Sequence, residues 1–298
     1  DQVAAVRRRD DQQAVVREVR REHERKASVD QDLTEEINSV ISEANDAWEE
    51  AKANDDFDTF APYLEELLEL KREQANQIDP DKEPFAVMLE EYEPYVGVDT
   101  AERVLDNLKA ALVPLIEEIR ASDVDPSGPF VERGPYDEDT QMALSEDALS
   151  FVQCDWDRAR LDTSPHPFSY GNRYDMRITT RFHDHSPIDG LDSSLHEYGH
   201  ATYEMGLDPD GFPGPLGQSR SHSIHESQSR FWENHVGRSE AFWEQFLPIV
   251  QKHFPRLSDV TPREAYEAAN QVYEDNLIRV EADELTYHLH IVVRFEIE

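Results

Sequence analysis

Cysteine is almost missing from this chain: Cys154 stands alone among 298 residues, so no intrachain disulfide can form. The fold must therefore rest on its core, and the thiol usage fits a reducing, cytoplasmic compartment. Positive charge is scarce as well. Against 65 acidic residues there are 29 basic ones, only six of them lysine, for a formal net charge of −36. Outside an Arg-rich N-terminal stretch no basic face is available for phosphate, which excludes nucleic acid and anionic membrane surfaces as partners. Long apolar runs are lacking too. Nothing approaches the roughly 20 residues that span a bilayer, and there is no secretory apolar region. Glu and Asp in such excess also mark disordered chains, but four Trp, eleven Tyr and thirteen Phe supply a core across most of the length. The carboxylate surface then reads as salt adaptation, of haloarchaeal type, in which concentrated ions screen the self-repulsion. Unfolding temperatures that stay constant from dilute buffer to molar KCl would exclude this.

Residues 1–125 show long amphipathic helices. Leu33, Ile37, Val40, Ile41 and Ala44 recur at helical spacing, as do Phe57, Phe60, Leu64, Leu67 and Leu68. A third pattern begins at Asp99-Thr100-Ala101-Glu102, a capping-box-like start, and carries Pro114, which predicts a kink or boundary. The Pro/Gly-rich stretch 123–139 predicts a connection to a second region, 126–298, that continues the first or stands apart from it. Ser145 is the expected cap of a helix reaching Ala159. The run Tyr174 to His183 alternates Met176, Ile178, Thr180 and Phe182 with polar residues and predicts a strand. A Gly/Pro-rich loop from Gly206 to Gly217 reads equally as a lid or a plain connection. Asp1 opens inside a helical pattern and Phe295-Glu296-Ile297-Glu298 ends in one, so the chain reads as a fragment of a longer protein.

His196-Glu197-Tyr198-Gly199-His200 carries the chemistry. On a helix, residues four apart are neighbours, so both imidazoles can reach one Zn²⁺ at about 2.0–2.1 Å. Glu197, about 100° round the helix, is placed to act as general base on a water at the metal. The metzincin extension is excluded, because Tyr203 and Gly206 stand where it needs Gly and His. A third ligand then comes from a later helix. Glu226, in His225-Glu226-Ser227-Gln228-Ser229-Arg230, and Glu233 are the two candidates, and spacing leaves both open.

Five motifs, in order, resemble the zinc metallocarboxypeptidases of the thermostable (Taq-type) carboxypeptidase family. His166-Pro167-Phe168 resembles its HPF, Asp175 to Thr179 its DxRxT, and His196 to His200 its HExxH. His225 to Gln228 resembles its HES(G/Q), and Ile278 to Asp283 its (I/V)RxxAD. The resemblance implies His196, His200 and Glu226 as metal ligands, Glu197 as the catalytic base, and Zn²⁺ or Co²⁺ as the metal. It implies a mainly α, zincin-like (gluzincin) fold, with a small β-sheet beside the HExxH helix and the N-terminal helices roofing a groove. Single residues would be removed from peptide C-termini, proline being disfavoured, by a homodimer. Such cleavage needs a cation for the terminal carboxylate. Arg279 is the candidate, unless it pairs with Glu281 or Asp275, and His166 is a neighbouring substrate contact. Asp175 and Arg177, on one side of the predicted strand, are expected to position the site by supporting a ligand histidine, with a buried ion pair and direct substrate contact as equal alternatives. Asp283 is a second candidate for orienting an imidazole. His222, His225, His288 and His290 are left to line the cleft or to stand behind the ligands. The family's GxxQDxHW motif and a further C-terminal Tyr find no match, which implies reduced activity. The alternatives are an HExxH oligo-endopeptidase and a non-catalytic helical metal-binding scaffold.

Overall fold

A computed structural model describes residues 2–124, 126, 128–273, 277–279 and 282–298, with side chains from residue 10 onward. The chain forms two compact units. The first comprises residues up to Asp99 together with Gly211–Gly217 and holds α1 (Gln2–Ser28), α2 (Gln31–Asn54), α3 (Phe57–Ile78) and α4 (Pro84–Tyr92). Helices α2 and α3 pack as a pair. Leu33, Ile37, Val40 and Ala44 are buried at the expected spacing, whereas Ile41 stands exposed. Asp55 ends α2 in a left-handed conformation, φ 52°, and its N–H returns to the Ala51 carbonyl. The turn Pro215–Gly217, at the end of the Gly/Pro-rich loop, packs against α1.

The second unit comprises Thr100–Asp210 and Gln218–Glu298. It takes in nearly all of α5 (Val98–Arg120), then the short α6 (Gly128–Val131) and α7 (Glu138–Phe151). Three strands follow, β1 (Ala159–Thr163), β2 (Ser169–Asn172) and β3 (Asp175–Thr180). After them come α8 (Ile188–Gly206), α9 (His222–Arg230), α10 (Glu240–His253), α11 (Pro262–Ala269) and α12 (Thr286–Ile297). Pro114 does not end α5: Leu112 and Ile116, buried on either side of it, hold the helix through the lost hydrogen bond. Nor does Ser145 cap α7. Asp137 does, its carboxylate accepting from Thr140 N at 2.9 Å, while Ser145 is buried mid-helix and the helix stops at Phe151.

The sheet order is β1-β3-β2, with β1 parallel and β2 antiparallel to β3. On β3, Met176, Ile178 and Thr180 are buried and Asp175 and Arg177 exposed, the alternation read from the sequence, but Thr179 is buried as well and the strand ends at Thr180 rather than His183. The Thr180 hydroxyl donates to the Gly190 carbonyl at 3.0 Å and ties the central strand to α8. Around this contact Leu144, Leu149, Ile178, Leu191, Leu195, Trp243 and Phe246 form the core. The helix carrying the HEYGH pentapeptide is thus fixed by a strand on one side and the α7 and α10 core on the other. Among the described residues no helix is long and apolar enough to cross a membrane.

Candidate metal centre

Helix α8 buries Leu191, Ser194, Leu195, Tyr198 and Ala201, at the spacing of one helical face, against the core. His196 and His200 lie at the flank of that face, where α9 crosses. The crossing is close. A Cβ on Gly199 would fall 2.4 Å from Ser229 Cα and 2.5 Å from the Gln228 carbonyl oxygen, so only glycine fits between the two backbones. That approach sets Glu226 opposite both imidazoles. Its Oε2 lies 3.4 Å from His200 Nε2 and 3.8 Å from His196 Nε2, and the three ligand atoms lie within 4.8 Å of one another. Gly199→Ala is expected to push α9 outward, costing about 1–3 kcal/mol as overpacking does and weakening metal binding. Denaturant titration alongside chelator competition measures both; unchanged values would show that the crossing tolerates a methyl group.

Glu233 does not join this cluster. A π-helical segment, Phe231–Gly237, continues α9 and turns Glu233 behind His196, where its Oε2 accepts from Nδ1 at 2.7 Å. Arg230 Nη1 donates to both Glu233 oxygens, at 2.9 and 2.8 Å. Arg238 Nη2 reaches Glu233 at 3.3 Å and Asp192 at 2.9 Å. All four side chains are buried. Burial alone would raise the Glu233 carboxyl, but His196, Arg230 and Arg238 outweigh it and hold it down at about 2. Burial wins at Asp192, which is pushed up to about 7 in spite of Arg238.

Glu226 is opposed by burial too, yet His200, His196 and the Tyr287 hydroxyl hold it well below the usual carboxylate range. Tyr287, on α12, donates to Glu226 Oε1 at 2.5 Å and accepts from Arg279 Nη1 at 2.7 Å. The Arg230 guanidinium lies over the Tyr287 ring, 4.1 Å from its centroid. One arginine therefore touches the supports of both His196 and Glu226. His200 is backed by His225, whose other nitrogen meets Glu204.

Glu197 is buried beside the cluster, its Oε1 4.0 Å from His196 Nε2. Burial raises its carboxyl, opposed by His196, His200 and Ser169. Its Oε2 is buried with no hydrogen-bond partner among the described residues. Two imidazole nitrogens and a carboxylate oxygen form a donor set suited to a divalent ion. The orphaned acceptor beside them calls for a proton donor, so the residues fit a metal centre with a water next to Glu197.

The remaining expected residues divide. Arg279 is two hydrogen bonds from Glu226, through Tyr287. Its alternative partners Glu281 and Asp275 lie outside the described residues, as does Val280 of the same motif. His166 is exposed, Nδ1 2.8 Å from the Pro167 carbonyl. Asp175 and Arg177 pair with each other at 2.9 Å on the exposed side of β3, rather than against either imidazole, because β3 turns its other side to α8. Asp283 likewise orients no imidazole. It is buried at the start of α12 and accepts from the backbone of Leu285 and Thr286, and from the Thr286 hydroxyl at 2.6 Å. The supports that sequence reasoning missed are Arg230, Tyr287, Glu204 and Glu233, the last weighed there only as a ligand, and they lie on three stretches of the chain.

The family described as carboxypeptidase Taq (M32) metallopeptidase matches residues 1–298. The thermostable carboxypeptidase 1 of Thermus thermophilus is 39% identical over 293 residues, 95% of this chain and 57% of that protein. The crystal structure of the M32 carboxypeptidase from Deinococcus radiodurans superposes with a TM-score of 0.85 at 37% identity, covering 95% of this chain and 56% of that one. A structure of the Pyrococcus furiosus carboxypeptidase described as apo-Mg gives 0.87 at 34%, covering 96% and 57%. The chain thus spans less than two thirds of the length of these relatives. With a match along its whole length, and the helical fold and small sheet of the solved structures, the chain belongs to the carboxypeptidase Taq (M32) metallopeptidase family.

Proposed function

We propose that the chain binds a divalent ion, Zn²⁺ with Co²⁺ as the alternative, through His196, His200 and Glu226, and releases single residues from peptide C-termini. The observation that carries this reading is the convergence of three ligand atoms within 4.8 Å beside a buried carboxylate with an unpaired oxygen. When bound, the ion supplies Lewis acidity, polarising a peptide carbonyl and acidifying water.

The chain's own residues do the rest. Glu197 Oε2, without a partner among the described residues, takes a proton from water and passes it to the leaving amine, and burial makes it a stronger base than an exposed carboxylate. Glu233 and His225 hold the Nδ1 sides of the two imidazoles, which turns both Nε2 atoms inward. Arg279 offers a fork to the substrate's terminal carboxylate, with His166 as a further contact. The compartment and the assembly belong to the same reading: a reducing, salt-rich cytoplasm, inferred from charge and Cys154, and a homodimer, which rests on the resemblance alone.

The test compares a peptide with a free C-terminus and its C-terminal amide, using chain reconstituted with zinc. Free-acid hydrolysis is expected to exceed amide hydrolysis by about 10²-fold or more, the value of a lost charged hydrogen-bond pair in a dry site. Equal rates would remove the case for Arg279 and favour an endopeptidase. Less than stoichiometric zinc, unaffected by Glu226→Ala, would favour a scaffold.

A further inference from the structure

His200 is backed by another imidazole. Its Nδ1 lies 2.6 Å from Nδ1 of His225, and His225 Nε2 lies 2.9 Å from Glu204 Oε1. The two rings are 4.6 Å apart between centroids, and Tyr203 packs edge-on against His225 at 5.1 Å. Glu204 is four residues after His200 on α8, and His225 stands on α9, so the contacts close a loop between the two helices. None of the three side chains is more than 22% exposed.

With both imidazoles neutral, as a metal ligand and its neighbour must be for Nε2 of His200 to bind an ion, proton placement along this chain leaves one consistent arrangement. An ionised carboxylate only accepts, so His225 carries its proton on Nε2 and donates it to Glu204. Neutral His225 then offers a lone pair at Nδ1, and His200 must supply the Nδ1–H between the two rings. That leaves His200 Nε2 bare, and Nε2 is the atom facing Glu226 at 3.4 Å. The other tautomer of His200 would set two lone pairs against each other at 2.6 Å and point a proton where a ligand atom is needed.

We propose that Glu204 and His225 are positioning residues that fix the tautomer of His200 and keep its Nε2 lone pair turned to the metal. The inference rests on the reading of His196, His200 and Glu226 as ligands. It gives the two imidazoles matching support: Glu233 acts on His196 directly, and Glu204 acts on His200 through His225.

Zinc affinity, measured by competition with a chromophoric chelator, and the visible absorption of the Co²⁺ form test this on the 298-residue chain. His225→Leu is expected to weaken zinc binding by roughly 10- to 100-fold and to change the Co²⁺ spectrum. His225→Gln can accept from His200 through its amide oxygen and donate to Glu204 through its amide nitrogen, so it should recover most of that loss. A merely space-filling role would not separate Gln from Leu. Glu204→Leu should weaken zinc binding in the same direction, and it carries the test with His225→Gln if His225→Leu fails to fold without metal. Leu variants that bind zinc like wild type, or His225→Gln as weak as His225→Leu, would overturn the relay. His196→Ala separates the two levels. Its loss of zinc beside an indifferent His225→Leu overturns the relay alone, whereas a wild-type chain that binds no zinc overturns the metal reading and the relay together.

Discussion

Glu197→Gln should keep a full complement of zinc while losing peptide hydrolysis by about 10²–10⁴-fold, the range expected when a general base is removed. The two halves of this outcome come from different atoms. The ligand atoms belong to His196, His200 and Glu226, and the variant leaves all three and their supports untouched. The amide is nearly isosteric and keeps a partner for Ser169, but it has no lone pair basic enough to take a proton from water. Burial raises the wild-type carboxyl, which means that its charge is held against a desolvation cost. Removing that charge relieves the cost, so the metal-free variant should be at least as stable as wild type by denaturant titration. Glu226→Gln is the counterpart. It alters a ligand and should lose metal and turnover together. A Glu197→Gln chain that hydrolysed peptide at the wild-type rate, metal in place, would remove Glu197 from the mechanism.

His196, Glu197 and His200 are legible in the sequence because one turn of one helix sets their spacing, and α8 keeps that turn. Glu226 is different: its position depends on how α9 crosses α8, and the crossing depends on Gly199. Glu226 and Glu233 lie on one continuous helical run. What separates them is the π-helical segment together with the two arginines that draw Glu233 behind His196. None of these is a periodicity, which is why spacing left both carboxylates open. Among the described residues Asp175, Arg177 and Asp283 meet neither imidazole, for a local reason. A strand residue pairs readily with its neighbour two positions on, and an Asp just before a helix caps it, so short-range partners claim these side chains first. Strands β1 and β2, five and four residues long, are too short for alternation to register, whereas the six residues of β3 suffice.

Glu233→Leu should be the most damaging single change to the centre, because it removes one of two carboxylates from a buried set with two guanidinium groups. In wild type Arg230 donates twice to Glu233, and Arg238 divides its contacts between Glu233 and Asp192. Without Glu233, Asp192 alone faces both charges, and breaking a buried pair in this way costs about 3–5 kcal/mol. Against a total stability of about 5–15 kcal/mol that is a large share, so the variant should unfold at markedly lower denaturant. His196 also loses the acceptor for its Nδ1–H, so the fraction that folds should bind zinc roughly 10- to 100-fold more weakly. Glu233→Gln isolates the charge, since its amide oxygen still accepts from His196. The pH dependence then has a definite sign. The folded Glu233 carboxyl sits at about 2, below its ordinary value of 4.5, so the stability it contributes is complete above about 4.5 and is lost as pH falls toward 2. The stability difference between metal-free wild type and Glu233→Gln, read from urea titrations, should shrink steadily across that interval and be flat just above it, before His196, whose proton Glu233 helps to hold, begins to titrate. A difference that stays constant down to pH 2, or that grows on acidification, would mean that Glu233 is not held ionised by Arg230, Arg238 and His196.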